Sequence, residues 1–414
     1  EMLRSLVGSE MCIRDRLSNI FSDLKIRGSY GMVGDDNVSG YAAFDYMSGY
    51  NYKNGGSVLD GKYTIGSVPR GLPVTTLSWI KAKILDVGFD VAFLDNRLTG
   101  QFDFFRRQRD GLPASRYDVL LPSEVGFSLP KENLNSDVHM GYDAAVRWTD
   151  RVEDFTYSIG GNITYSRFYD WEQYKPRFSN SWDVYRNSLN HRFGYLNWGL
   201  EAIGQFNSWE EIATYPIDND RQGNKTLRPG DIKYKDVNGD GEITTADRTM
   251  IGDPTPNVTY GITLGVGYKN WELAVDMMGQ GGNQIYRTWD NYNWSQFNFM
   301  AQRMDRWHGE GTSNTQPLLN TKHTINTMNS EYYIEDGSFF RIRNVSLAYN
   351  FDKALISKIG MQALKLYVNI QNLKTWKHNT GYTPELGGSA IAFGVDDGSY
   401  PMPAIYTFGF NLTF

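Results

Sequence analysis

The sequence lacks several features that stabilise or target proteins of its size. Its 414 residues include a single cysteine, Cys12, so the chain cannot form an internal disulfide or a metal site built from cysteines. It contains no apolar run of about 18 residues, so no transmembrane helix is predicted. It also has no basic segment followed by a short apolar one, so no signal peptide is predicted.

The sequence also has no excess of basic over acidic residues. The chain has 41 Lys and Arg residues against 47 Asp and Glu residues, which gives a net charge of −6 at pH 7. A clustered basic surface is the electrostatic footprint of nucleic-acid binding. The sequence therefore predicts no nucleic-acid partner.

Patterns of catalytic residues are absent too. The sequence contains no nucleophile elbow and no glycine-rich phosphate loop. The histidines include no close pair at the spacing of metal ligands, and they are His139, His191, His308, His323 and His378. We therefore predict that the protein is not an enzyme and that it has no catalytic residues.

Aromatic residues, in contrast, are plentiful. Tyr, Phe and Trp make up 14% of the chain, while charged residues make up 21%. A membrane β-barrel carries aromatic girdles at both membrane interfaces and keeps its lumen and loops polar. The composition therefore favours a barrel, whose outer face needs rings, over a soluble protein of similar polarity.

Period-two alternation is the strongest pattern in the sequence, and it predicts strands because successive side chains of a strand point to opposite faces. Near the end of the chain one face carries Tyr406, Phe408, Phe410, Leu412 and Phe414. The alternation predicts strands near 81–94, 98–107, 138–148, 155–168, 256–268, 271–280, 338–350, 363–371 and 404–414. It predicts one or two more near 24–33 and 41–49. A soluble β-sandwich also alternates, so this pattern alone leaves both architectures open.

The connections between these strands separate the two architectures, because short and long ones alternate strictly. The short connections are 95–97, 149–154, 269–270 and 351–362, and the long ones are 108–137, 169–255, 281–337 and 372–403. Outer-membrane barrels have short periplasmic turns and long extracellular loops. The sequence therefore predicts an all-β fold, a partial transmembrane antiparallel β-barrel whose carboxyl terminus lies on the periplasmic side.

One segment, 236–247, has the spacing of an EF-hand calcium loop. Its oxygen ligands would come from Asp236, Asn238, Asp240, Glu242, Thr244 and Asp247. The last position is Asp where Glu is usual, which shortens the reach of the closing carboxylate. The alternative is a turn rich in Asp, Asn and Gly that satisfies its own backbone without metal. We predict calcium, the one candidate cofactor, in a role that stiffens the loop.

A second candidate site is a group of aromatic residues after the strand that ends near Gly279. The group contains Trp289, Tyr292 and Trp294. Exposed rings anchor interfaces, so these residues would contact a ligand or a covering partner. The alternative is an interfacial girdle or packing within the loop.

Several segments together resemble the SusC/RagA-like family of TonB-linked outer-membrane proteins. They are LKIRGSYG at 24–31, LSW at 77–79, GFD at 88–90, DFFR at 103–106, GDIKYKD at 230–236 with the acidic loop, IGDPTP at 251–256, FRIRNVSL at 340–347 and the strand ending in Phe414. The resemblance covers essentially all of the chain after residue 16. Residues 1–16 match neither strand nor helix periodicity, and we expect them to be a non-native leader.

The resemblance implies a parent barrel of roughly 22 strands, with an amino-terminal plug in the lumen. Residues 17–414 are then expected to be the carboxy-terminal portion of that barrel, without the plug. The family resemblance further implies import of oligosaccharides or peptides across the outer membrane of a Gram-negative cell. It implies a SusD-like lipoprotein as a lid, the TonB complex as an energy source, and a role for Phe414 in recognition by the barrel-assembly machinery.

Functions of two other classes stay open at this point. One is a secreted or surface-located calcium-binding adhesin with a soluble β-rich fold. The other is an outer-membrane hydrolase, which would need a Ser/His pair at the membrane boundary, and none is evident in the sequence.

Overall fold

The computed structural model describes residues 21–36, 44–289, 301–319, 324–386 and 393–414. Within these residues, ten strands pair in chain order to form one antiparallel sheet, here called the wall. The strands are β1 (Asp23–Asp35), β2 (Ile80–Phe93), β3 (Leu98–Ala114), β4 (Glu132–Val152), β5 (Phe155–Glu172), β6 (Val258–Tyr268), β7 (Trp271–Gly281), β8 (Phe339–Asn350), β9 (Ala363–Lys377) and β10 (Ile405–Thr413).

The register of the wall turns the sequence alternation into rows of like side chains, because paired residues of neighbouring strands share a face. One row of the apolar face consists of Val266, Leu273, Leu347, Val368 and Phe408. The adjacent row of the polar face consists of Gly265, Ala274, Ser346, Asn369 and Thr407. In the apolar row Leu273, Leu347 and Phe408 are exposed and the two valines are half-buried, which is the arrangement expected of a barrel wall that faces lipid.

Aromatic side chains bound the apolar face at both of its edges. At the edge with the long connections, the Phe340 ring lies 5.7 Å from Trp376 and 6.3 Å from Tyr260. At the opposite edge, the Trp271 ring lies 4.8 Å from Tyr349. Strand β9 carries roughly ten residues between these two bands, which at about 3.3 Å per residue and a tilt of about 45° gives about 23 Å. That length matches the apolar band of an outer-membrane barrel, about 25 Å.

The connections confirm the predicted alternation of short turns and long loops. The short connections are 94–97, 153–154, 269–270 and 351–362, and the last of these contains the short helix Lys353–Ile356. The long connections are 36–79, 115–131, 173–257, 282–338 and 378–404. Strand β1 follows the same rule, since a long connection joins it to β2. All long connections therefore emerge from one edge of the wall.

The strand predicted near 41–49 is wrong over the residues that the structure describes. Residues 44–49 form no strand, and Phe44 has φ of 71°, which lies outside the β region. The strands of this connection are instead a hairpin formed by Tyr50–Leu59 and Lys62–Pro69. Residues 41–43 lie outside the described residues.

Several wall strands run further toward the long connections than the alternation predicts. In β3, for example, three polar residues, Gln108, Arg109 and Asp110, follow one another there, so the period-two pattern fades while backbone pairing continues. Strands β3 and β4 stay paired there, and the Arg109 guanidinium binds the Asp137 carboxylate, with Nε donating at 2.9 Å. The strands therefore continue past the apolar band.

The connections also contain short elements. The α-helices are α1 (Ser181–Asn187), α2 (Trp209–Thr214) and α3 (Lys353–Ile356), and the 3-10 helices are Ser123–Val125, Thr245–Asp247, Ala301–Asp305, Ile325–Thr327, Glu331–Tyr333 and Ser357–Ile359. The short strands are Arg192–Phe193, Asn197–Gly199, Ala202–Gln205, Ile232–Tyr234, Thr249–Gly252, Gln284–Arg287, Ile334–Asp336 and Val395–Asp396. In the described part of the chain, no helix is long and apolar enough to cross a membrane.

Parts of two long connections, residues 197–247 and 325–333, fold together into a unit here called the cap. Its buried core consists of Leu200, Phe206, Ile212, Leu227, Ile232, Tyr234, Ile243 and Ile325. The Tyr234 hydroxyl donates to the Ile325 carbonyl at 2.7 Å, and the Leu200 N–H donates to the Asn329 carbonyl at 2.9 Å. The two connections therefore share one hydrophobic core.

Candidate functional site

The acidic loop at 236–247 lies in the cap and is fixed by its core. Ile243, in the middle of the loop, is fully buried. The Ile243 N–H donates to the Asp218 carbonyl at 2.9 Å, and the Asp218 N–H donates to the Gly241 carbonyl at 2.8 Å. The loop therefore has a defined backbone conformation, which a binding site for a cation requires.

Three of the predicted ligands converge within this loop. Carboxylate oxygens of Asp236, Asp240 and Asp247 all lie within 4.8 Å of one another. Calcium sites place oxygen ligands about 2.3–2.6 Å from the ion, so oxygens at this mutual spacing fit around a single ion. The Asn238 side-chain amide joins the group by donating to Asp240 Oδ2 at 2.8 Å.

The other two predicted ligands, the Glu242 carbonyl and a Thr244 oxygen, stay predictions, and the structure shows other contacts of these residues. The Thr244 hydroxyl accepts from the Ala246 N–H at 3.0 Å and so caps the 3-10 helix Thr245–Asp247. Glu242 lies beside Asp218 in a parallel bridge, and its N–H donates to Asp240 Oδ1 at 3.0 Å. That hydrogen bond, together with the one from Asn238, lowers the pKa of Asp240. Asp240 is therefore ionised at neutral pH.

The same carboxylates accept hydrogen bonds from the loop backbone. Asp236 accepts from the N–H groups of Gly239 at 2.7 Å and Gly241 at 2.8 Å, and Asp247 accepts from Thr244 at 2.7 Å. Each oxygen of Asp236 keeps a further lone pair, whereas Asp247 Oδ1 also accepts from the N–H groups of Val237 at 3.1 Å and Asn238 at 3.4 Å. The geometry thus suits both a calcium loop and a metal-free turn whose carboxylates accept hydrogen bonds from its own backbone. Calcium binding stays a prediction.

Changing Asp236 and Asp240 together to alanine is expected to abolish any protection of the cap by calcium. Limited proteolysis of the parent protein with and without calcium measures this, with cleavage in 231–250 as the readout. We expect calcium to slow cleavage of the wild type and to leave the double variant unchanged. Asp60→Ala, in the turn of the 50–69 hairpin, is the matched control. If the wild type is cleaved at the same rate with and without calcium, the loop is a turn that needs no metal.

The predicted aromatic group falls partly outside the described residues. Trp289 follows the short strand Gln284–Arg287 and is half-buried, with the Arg287 guanidinium 5.7 Å from its ring centroid. Tyr292 and Trp294 lie outside the described residues. Contact of this group with a ligand or lid therefore stays a prediction. So does the role of Phe414 in assembly, although Phe414 follows β10 and is 75% exposed.

Sequence reasoning missed a set of arginines that are buried where the wall meets the long connections. Arg167 on β5 binds Asp253 at 2.6 Å, and Arg341 on β8 binds Glu385. Arg341 also donates to the Thr375 hydroxyl at 2.8 Å. The sequence signal was an arginine inside an apolar strand, which has to find an anionic partner when it is buried. These pairs bind the connections to the wall.

Sequence reasoning also missed a Ser/His pair, because its members lie on neighbouring strands. His139 Nε2 on β4 lies 2.6 Å from the Ser166 hydroxyl on β5. Among the described residues, no carboxylate forms a hydrogen bond with the other ring nitrogen, which in hydrolases orients the imidazole. The pair therefore lacks the third member of a catalytic triad.

Comparisons with known proteins place this fold in a family. No family profile matches the chain. TonB-dependent receptor P3 of Formosa agariphila is 30% identical over 419 residues, which cover 96% of this chain. TonB-dependent receptor SusC of Bacteroides thetaiotaomicron is 24% identical over 408 residues, again 96% of this chain. The chain belongs to the SusC/RagA-like family of TonB-linked outer-membrane proteins.

The fold agrees with this assignment. A solved structure of the RagAB peptide importer in its open-open state matches with a TM-score of 0.71 at 19% identity, over 96% of this chain. SusC/RagA-like proteins are β-barrels of the outer membrane, so the apolar face of the wall faces lipid and the polar face lines the lumen. The chain spans 40% of the length of receptor P3 and 38% of the length of SusC.

Three of the segments that carry the SusC/RagA-like resemblance, 230–236, 251–256 and 340–347, contribute residues that fix the long connections. Segment 230–236 contributes Asp231, which is fully buried in the cap and accepts from the Asn326 side chain at 2.8 Å. Segments 251–256 and 340–347 contribute Asp253 and Arg341, members of the two buried ion pairs described above. Part of the resemblance therefore rests on residues that hold the long connections in place.

Proposed function

We propose that the parent protein is a TonB-dependent importer of oligosaccharides or peptides that works beneath a SusD-like lipoprotein lid. The observation that carries the proposal is the cap, a folded unit with its own core on the long-connection side of the wall. A wall alone would need only short turns, whereas capture of a ligand at the extracellular side needs a shaped surface there.

The mechanism that we propose is binding and gating, without covalent chemistry. Ligand is captured at the extracellular mouth, and TonB acts on the plug to open a path along the lumen. Residues 17–414 would supply part of the barrel wall, part of the lumen surface and the cap. The plug and the TonB contact would come from other parts of the parent.

Exposed apolar side chains on the cap support a protein partner. Trp209 is 64% exposed and Ile203 is 52% exposed. Aromatic and aliphatic side chains of this kind anchor protein interfaces, and the lid of a SusC/RagA-like protein would cover this side. A lipoprotein lid is the partner that we propose for this surface.

Uptake measurements in cells test the proposed function. Fluorescent oligosaccharides and fluorescent peptides would be supplied to wild-type cells, to cells without TonB and to cells without the neighbouring lipoprotein gene. We expect uptake of one ligand class to be lost without TonB and to fall without the lipoprotein. Uptake that persists without TonB would contradict the proposal.

The adhesin alternative makes opposite predictions for the purified parent protein. A barrel of this family is soluble only in detergent and migrates differently on a gel before and after heating. A soluble adhesin would need no detergent and would show one band. The exposed apolar rows of the wall favour the barrel.

A further inference from the structure

A group of basic residues lies on the apolar face of the wall, close to the edge with the long connections. Lys83 lies on the same side of β2 as Val87, because alternate residues of a strand share a face. Arg106 likewise lies on the same side of β3 as Phe104, which pairs with Val87. The basic patch, as it is named here, consists of Lys81, Lys83, Arg106, Gln108 and Asp110.

The basic patch begins directly beyond aromatic side chains of the apolar face. The Phe102 ring lies 6.2 Å from Tyr142 and 5.5 Å from Phe89. Pairing across β4 and β5 places Phe102 in the same row as Tyr260, a member of the aromatic band at the edge with the long connections. Aromatic belts of membrane proteins lie at the level of the lipid headgroups. Arg106 follows Phe102 on the same face in the direction of the long connections, so the patch lies among the extracellular headgroups.

Two tryptophans flank the basic patch. The Trp171 ring centroid lies 5.2 Å from the Arg106 guanidinium. On the other side Trp79 is 65% exposed, and its ring lies against Gly34, which pairs with Lys81. Tryptophan side chains are enriched where membrane and water meet. The two rings therefore support the same depth for the patch by a second route.

The basic patch carries a net positive charge. Three of its residues are cationic and one is a carboxylate, a sum of +2, whereas the whole chain has a net charge of −6. Arg106 donates to Gln108 Oε1 at 2.9 Å, and Gln108 donates to Asp110 Oδ1 at 2.8 Å. The Lys83 ammonium binds Asp110 Oδ2 at 2.8 Å, and Lys81 is exposed. A cluster of cations that is already ordered loses less conformational entropy when it binds an anion.

We propose that the basic patch binds the phosphate groups of a lipid in the outer leaflet of the outer membrane. Arg106 and Lys81 contact phosphate oxygens, Lys83 adds positive charge, and the acyl chains lie along the apolar rows of the wall. A guanidinium binds phosphate through two parallel hydrogen bonds, and an ammonium binds it as a point charge. Basic clusters beside a membrane-spanning surface recognise anionic headgroups in this way. The inference rests on the barrel fold and goes beyond the proposed import function.

Lipid binding to the purified full-length parent protein in a neutral detergent tests the patch, with native mass spectrometry as the measurement. The probes are lipid A with its phosphate groups and lipid A from which these groups have been removed. We expect the wild type to bind the phosphorylated lipid about tenfold more tightly, since the cations of the patch lose their anionic partner in the other. Equal affinities for the two lipids would overturn the proposal, and this comparison needs no variant.

A triple variant and a matched control locate the binding. The test variant combines Lys81→Gln, Lys83→Gln and Arg106→Gln. It is expected to lose the preference for phosphate and to bind the dephosphorylated lipid like the wild type. The control removes three exposed cations from the polar face and should keep the preference, and it combines Lys25→Gln, Arg107→Gln and Arg147→Gln. Equal loss in both triple variants would show that net charge governs binding, which would overturn the patch as the site. Unchanged migration before and after heating establishes that each variant forms the barrel.

Inorganic phosphate separates a lipid site from a general phosphate site. An excess of inorganic phosphate should leave phosphorylated lipid A bound, because its acyl chains also bury apolar surface against the wall. Displacement of the lipid by inorganic phosphate would overturn the lipid as the occupant. None of these measurements involves uptake, so failure of the basic patch and failure of the import proposal are distinguished.

Discussion

Replacing Phe206 with alanine is expected to lower the free energy of unfolding of the cap by about 3–5 kcal/mol, the usual cost of removing a buried ring. Phe206 is fully buried in the cap core, and its ring meets Tyr215 edge to face at 5.1 Å. The Lys233 ammonium lies 5.0 Å from the ring on another side.

Limited proteolysis of the parent protein at increasing denaturant measures this change, because cleavage within the cap reports its unfolding. Trp209→Ala is the matched control, since Trp209 belongs to the same unit but is 64% exposed. Its expected cost is about 0.5 kcal/mol or less. Equal shifts for Phe206→Ala and Trp209→Ala would show that the cap has no cooperative core.

Introducing arginine at Val345 is expected to reduce assembly of the barrel strongly. Val345 lies on the apolar face of β8, about midway between the aromatic bands, with Val275 and Ile370 beside it in register. A lysine or arginine on the lipid face near the bilayer midplane costs about 2–4 kcal/mol. The next residue, Ser346, lies on the polar face, so Ser346→Arg is the matched control.

The amount of heat-modifiable parent protein in outer membranes measures both variants. We expect little of Val345→Arg and near-normal amounts of Ser346→Arg. Normal assembly of Val345→Arg would refute the assignment of that face to lipid. Loss of both variants would indicate a general intolerance of β8 to large residues.

The wall could be predicted from the sequence because lipid imposes one rule on every strand that crosses it. Residues such as Phe408 and Thr407 can be assigned to the apolar or the polar face from local alternation alone. The long connections obey no such rule. Alternation at 41–49 predicted a strand there, but it does not reveal that Phe44 adopts a positive φ. The strands of this connection form the hairpin at 50–69 instead.

The cap could not be predicted because its core is assembled from residues far apart in the chain. Nothing near Tyr234 indicates that its hydroxyl binds the Ile325 carbonyl. The buried ion pair of Arg341 and Glu385 is of the same kind, since its partners lie on different elements. The acidic loop was the exception, because ligand spacing in 236–247 is local. Even there, only the structure shows that backbone N–H groups of the loop donate hydrogen bonds to its carboxylates.

Accessibility along β10 tests most directly the central claim that this chain is the wall of an outer-membrane barrel. A nitroxide label would be placed at each position from 406 to 413 in the cysteine-free parent protein, reconstituted in liposomes. Oxygen, which concentrates in lipid, should relax labels at Tyr406, Phe408, Phe410 and Leu412. A water-soluble nickel complex should relax labels at Thr407, Gly409, Asn411 and Thr413. Equal access of the nickel complex to both sets would contradict the account.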